Sequence, residues 1–151
     1  MSEDNPIRIF VTHMFSDHPD YHRVFEYLES ASNFFYLNCS KPDDIPTRGG
    51  SEAIKESLLE QIRSAEIVVV ISSMFSENHS LITFQMDAAQ AANIPLIALE
   101  PFGGAGKVSA EVEARCAEIV GWNERLMVDA IRREARHEDT QRWDVIEFDL
   151  S

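Results

Sequence analysis

The sequence predicts a three-layer α/β domain built on a parallel sheet. Between Glu66 and Phe102 two continuous apolar runs, Ile67-Val68-Val69-Val70-Ile71 and Ile94-Pro95-Leu96-Ile97-Ala98-Leu99, bracket one helix. Such runs, rich in β-branched residues, mark strands covered on both faces, and a strand–helix–strand unit of this kind is parallel. The same alternation extends along the chain as β-α-β-α-β-α-β-α-(β)-α, the pattern of a three-layer domain. Right-handed crossovers and a switch point after the first strand favour sheet order 2-1-3-4-5 with helices on both faces. Ligands of such sheets bind beyond the carboxyl ends of the strands. Function is therefore expected in the loops after Ser73 and Leu99 and at the start of the helix between them.

Each element has a local reason. Ile7 to Thr12 reads as the first strand. Asp17 to Ala31 follows as a helix, with Tyr21, Val24, Phe25 and Leu28 at i, i+3, i+4 and i+7. Phe34 to Asn38 reads as a short second strand, and Lys41 to Gly50, with two prolines and two glycines, as loop. Ser51 can cap the next helix, whose inward stripe is Ile54, Leu58 and Ile62. The third strand spans Ile67–Ser72. A polar loop after Ser73 leads to a helix from about Ser80 to Ala92, and Pro95–Leu99 forms the fourth strand. Val108 to Ala117 reads as helix and Ile119-Val120 as a brief fifth strand. Asn123 can cap a last helix to about Arg136, with Leu126, Met127, Ala130 and Ile131 inward.

The chain has 151 residues, 44% of them hydrophobic, enough for a core. A single domain over 1–151 is expected, with its core at about 7–133. The extension at 137–151 carries Trp143, Val145, Ile146, Phe148 and Leu150 and is expected to pack on its own domain or on a neighbour. The net charge of −13 and the lack of a Lys/Arg cluster exclude a nucleic-acid partner. No apolar run approaches the roughly 20 residues a membrane span needs. Met1–Asn5 lacks a signal peptide's basic start and apolar stretch, so a cytoplasmic location is expected. Cys39 and Cys116 suggest no disulfide framework.

In combination, several segments resemble the TIR-like family that includes the ThsB proteins of bacterial Thoeris anti-phage systems. Ile9-Phe10-Val11-Thr12-His13 is similar to that family's first strand, and Asn38-Cys39-Ser40-Lys41-Pro42-Asp43-Asp44 to the segment after the second. Ser64-Ala65-Glu66 into the Val-rich strand and on to Ser73-Met74-Phe75 is similar to the third. Asn93-Ile94-Pro95-Leu96-Ile97 into Pro101-Phe102-Gly103 is similar to the fourth. Ile119-Val120-Gly121-Trp122-Asn123 is similar to a closing motif. The resemblance covers roughly Ile7 to Arg133 and implies a flavodoxin-like/TIR-like fold. It implies NAD as substrate, cleavage of the nicotinamide–ribose bond, and a cyclic or conjugated ADP-ribose signal for a downstream effector. It implies no bound cofactor or metal, and homo-oligomerisation as a route to activity.

The resemblance also places a catalytic Glu in the first turns of the helix after the third strand, three or four residues past a Trp or Cys. In this chain those positions hold Gln85 and Leu81. Breaking the ribose–nicotinamide bond develops positive charge on the ribose, much as glycoside hydrolysis does. A carboxylate stabilises that charge and a neutral amide does not, so Gln85 implies a site that binds dinucleotide and turns it over poorly. A natural replacement and a deliberate Glu→Gln change both account for Gln85. The alternative function is a catalytically inactive adaptor or nucleotide-binding module.

Thr12, His13, Met14, Phe15, Ser40, Lys41, Ser73, Met74, Leu81 and Phe102 are the candidate substrate contacts beside Gln85. Lys41 and Arg48 can meet phosphates, although exposed cations are ordinarily only solvated. Asp87 lies about 200° around the helix from Gln85 and points away, which leaves Glu77 and Glu100 as the other acids near a strand end. His18 and His22 have metal spacing but no third ligand, so a helix surface is the better reading. A Cys39–His13 dyad would make a different enzyme. Gly103–Gly106 lacks the Lys-Ser/Thr of a phosphate loop and reads as a flexible loop able to cover the site. Trp122 reads as a structural plug. Thr12-His13 and Ser72-Ser73 stand where a receiver domain needs acids, which excludes that fold's phosphotransfer.

Overall fold

A computed structural model describes residues 2–104 and 106–138. Five parallel strands, β1 (Ile7–Val11), β2 (Tyr36–Asn38), β3 (Ile67–Ile71), β4 (Leu96–Leu99) and β5 (Glu118–Val120), lie in the order 2-1-3-4-5. All five residues of β3 and all four of β4 are buried, as central strands covered on both faces must be. Register follows from this core: Ile9 pairs with Ile67 and Val69 with Ile97.

Helix α1 (Pro19–Ser30) packs against α6 (Glu124–Arg136), and α2 (Gly50–Arg63) against α4 (His79–Ala91). These pairs form the two outer layers. A short α5 (Ala110–Arg115) packs on β4. Tyr21, Val24 and Leu28 bury one side of α1, and Leu58 and Ile62 one side of α2. Phe25 and Ile54 are only partly covered.

Several boundaries differ from the expectation. The segment after β3 is not a polar loop. Ser72–Glu77 continues straight into a helix, α3, because Met74 and Phe75 turn into the core; its serines and glutamate disguise that apolar pair. Asn78 then caps α4 by accepting the Leu81 N–H. Helix α1 begins at Pro19 rather than Asp17, since the His18 ring accepts the Asp20 N–H as cap. Strand β2 begins only at Tyr36, β3 ends at Ile71, and α5 is confined to 110–115 behind its Ser109 cap.

Ser51 does not cap α2. Gly49 occupies that place with φ of 92°, and a Cβ there would stand 2.7 Å from the Ala53 Cβ. Only glycine meets both demands. Asn123 does cap α6, accepting from Leu126 N–H at 3.0 Å. Leu126, however, is 48% exposed. It sits at one edge of the stripe of Met127, Ala130 and Ile131, and Val128 at the opposite edge is buried in its stead. The apolar residues 143–150 lie outside the described residues.

Candidate functional site

Strand β1 delivers Thr12 and His13 to the carboxyl end of the sheet, and both are fully buried. Thr12 extends the ladder. Its N–H donates to Val69 O, and its hydroxyl accepts the Ile71 N–H at 3.0 Å and points at Met74 Sδ. Thr12 and Met74 are therefore buried under the end of the sheet, and neither lines the cavity around Lys41 or the cavity between α2 and α4.

His13 is bonded at every polar atom. Its peptide N–H donates to Gln85 Oε1 at 3.1 Å, and its carbonyl accepts from Gln85 Nε2 at 2.8 Å. Nδ1 accepts the Phe15 N–H at 3.2 Å, which leaves the ring proton on Nε2 to be donated to Gln61 Oε1 at 2.9 Å. The same Gln61 oxygen accepts the Lys41 N–H at 2.8 Å, while its amide donates to Ser57. One histidine and two glutamines thus tie β1, the loop after β2, α2 and α4 together. Phe15 adopts a left-handed conformation, φ 55°, with its ring edge-on to His13. A bulky side chain tolerates this backbone only where its surroundings hold it.

Burial pushes the His13 ring below the ordinary imidazole range; the Gln61 bond and the field of Asp43 oppose that shift. The folded ring thus refuses a proton that the unfolded chain accepts near pH 6.5. Stability is whole above that pH and falls as pH drops below it. The urea midpoint is expected to fall between pH 7.5 and 5.5 in the native chain and to be flatter in His13→Gln. An unchanged native midpoint would refute the assignment.

Gln85 is fully buried and is not part of the lining of the cavity between α2 and α4. That cavity has a volume of about 450 Å³. Met14 and Phe15, Ile54 and Lys55, and Leu81 and Phe84 make its walls, with Ser51, Asn78 and Ser80 among its polar groups. Periodicity points to Ile54 as core and says nothing of Lys55 and Phe84 as cavity walls, because the facing of α2 and α4 is set by the tertiary fold. Ser40 and Lys41 line a different cavity of about 470 Å³, together with Tyr21, Asp17, Asp43 and Asp44.

Ser73 and Phe102 separate from both cavities. Ser73 donates to Asp20, which pairs with Arg23, whose guanidinium lies 4.1 Å from the Phe102 ring centroid. Phe102 meets Trp122 edge-on, and the indole N–H donates to Glu100 O. The Phe102–Gly104 turn lines neither cavity. Glu77 is held by His18 at 2.8 Å, and Asp87 by Arg115 at 2.9 Å. His22 pairs with Asp17, and no cluster among the described residues could hold a metal. Cys39 Sγ faces the carbonyls of Leu37 and Ser64, and both His13 ring nitrogens are engaged elsewhere, so no Cys–His dyad forms. No helix among the described residues is long and apolar enough to cross a membrane.

No curated protein sequence matches this chain. A crystal structure of a conserved protein from Enterococcus faecalis V583 superposes with a TM-score of 0.58 at 11% identity, over 85% of this chain and 99% of that one. That likeness is one of fold. The family model described as Thoeris protein ThsB, TIR-like domain, matches residues 10–104. The matched span runs from β1 to the turn after β4, and takes in His13, Gln61, Gln85 and both cavities. With a parallel 2-1-3-4-5 sheet and a match over more than half its length, the chain belongs to the TIR-like domain family of Thoeris protein ThsB.

Proposed function

We propose that this chain serves anti-phage defence as a TIR-like module. It binds an NAD- or ADP-ribose-type dinucleotide in the cavity between α2 and α4 and leaves the nicotinamide–ribose bond intact. One observation carries this reading. The side chain at the position assigned to the catalytic carboxylate is a buried amide, spent on both peptide groups of His13. No carboxylate lines the cavity to replace it. A site that must stabilise a ribosyl cation has no group here to do so, while apolar walls with a few polar groups suit ligand binding. The fit of the amide to the His13 peptide supports reading Gln85 as a structural residue of the native protein.

Family membership favours a second reading: NAD is cleaved, and an ADP-ribose-derived signal passes to a partner effector after homo-oligomerisation in the cytoplasm. Calorimetry with NAD and ADP-ribose, followed by chromatography of NAD incubations at high protein concentration, separates the two. Binding without release of nicotinamide is expected. Nicotinamide release by the native chain would replace the binding reading with the enzyme one.

A further inference from the structure

The two cavities at the carboxyl end of the sheet have opposite charge. Around Lys41 stand Asp17, Asp43 and Asp44. The cavity between α2 and α4 is lined by one charged side chain, Lys55, and no acid. The Lys55 ammonium lies 5.8 Å from the Phe84 ring centroid. It forms no ion pair among the described residues. That is telling in a chain with 26 acidic and 13 basic residues. A phosphate would be repelled at Lys41 and drawn to Lys55.

We propose that Lys55 is the anion-contacting residue that sets the specificity of this cavity, selecting an aromatic nucleotide with a phosphate or diphosphate over the uncharged nucleoside. The inference deepens the dinucleotide-binding reading and rests on it. The ammonium is exposed in the free chain, and a ligand seated against the aromatic and aliphatic walls would bring a phosphate oxygen to it and exclude solvent between them. Its four-carbon stem can lie along the apolar wall while the head group meets the ligand. Lysine acts as a point charge and does not demand the bidentate geometry of arginine, so it selects for charge and tolerates several phosphate poses. Phe15 and Phe84 supply ring faces on which a base or nicotinamide can stack. Lys41, one of the two cations that the sequence nominates beside Arg48, has its field offset by its three carboxylate neighbours.

Calorimetry on the full chain tests this with ADP-ribose, ADP and adenosine as probes, at low and moderate salt. Lys55→Gln is expected to weaken ADP-ribose and ADP about 10-fold, the size of one charge-assisted hydrogen bond. Adenosine should bind the variant as it binds the native chain. Lys41→Gln should bind ADP-ribose like the native chain, and added salt should weaken ADP-ribose less in Lys55→Gln than in the native protein. Lys55 is exposed, so the variant should keep its thermal midpoint. Equal ADP-ribose affinity in the native chain and Lys55→Gln, or a loss appearing in Lys41→Gln instead, overturns the assignment while the dinucleotide reading stands. If the native chain binds neither ADP-ribose nor ADP, the dinucleotide reading falls and the assignment with it.

Discussion

Gln85→Glu is expected to lose about 2–3 kcal/mol of stability at pH 7 and to gain no NAD cleavage. The geometry sets the sign. Gln85 uses its oxygen for the His13 N–H and its nitrogen for the carbonyls of His13 and Leu81. A carboxylate can accept the first bond, but its second oxygen would face two carbonyl oxygens at a site with no solvent exposure. Burial and that repulsion raise the carboxyl pKa above its unfolded value near 4.3. The protonated acid can donate to His13 O as the amide does. The penalty is therefore smallest below about pH 4.3 and grows as pH rises toward the folded pKa. Urea unfolding of both chains from pH 4 to 8 reads this directly. A stable variant that releases nicotinamide would show that residue 85 is a catalytic position and that the amide's bonds to His13 are incidental.

Gln61→Leu is expected to be the second large loss, again about 2–3 kcal/mol. Gln61 Oε1 is the shared acceptor for the His13 ring proton and the Lys41 N–H, and Gln61 is itself buried. Leucine leaves both donors without a partner and unties the loop after β2 from β1. Gln61→Glu separates this from a mere packing effect. Both important bonds at this position end on oxygen, and Ser57 can turn its hydroxyl to donate to the second one. That variant should lose less than about 1 kcal/mol, where the same change at position 85 is costly. Equal losses in Gln61→Leu and Gln61→Glu would refute the shared-acceptor account. Chemical denaturation with amide exchange at Lys41 distinguishes the two.

The architecture was legible because strand burial is written locally. The unbroken β-branched run of β3 and the apolar run of β4 declare strands buried on both faces, and strict alternation with helices leaves few sheet orders open. Caps such as Asn123 were legible for the same reason, since the bond they make spans three residues. The Ser72–Glu77 helix was missed because its composition is polar apart from Met74 and Phe75, and two apolar residues show no period. Leu126 was misplaced because a single helical step decides whether a side chain faces core or solvent.

The candidate site divides along the same line. The approach of β1, the loop after β2 and α4 to one end of the sheet follows from topology, and the sequence alone determined it, together with the position of Gln85 in the first turns of α4. Only the tertiary structure decided what those residues do there. Gln85 meets the backbone of His13 across 72 residues, and Gln61 its ring across 48. Neither bond leaves a periodic trace in the chain. The same folding sends Ser73 and Phe102 to Asp20, Arg23 and Trp122, puts Lys41 among carboxylates, and leaves Lys55 as the cation of the apolar cavity. Periodicity records how much of a residue is buried, but the hydrogen-bond partner and the local field that set its role are properties of the assembled fold.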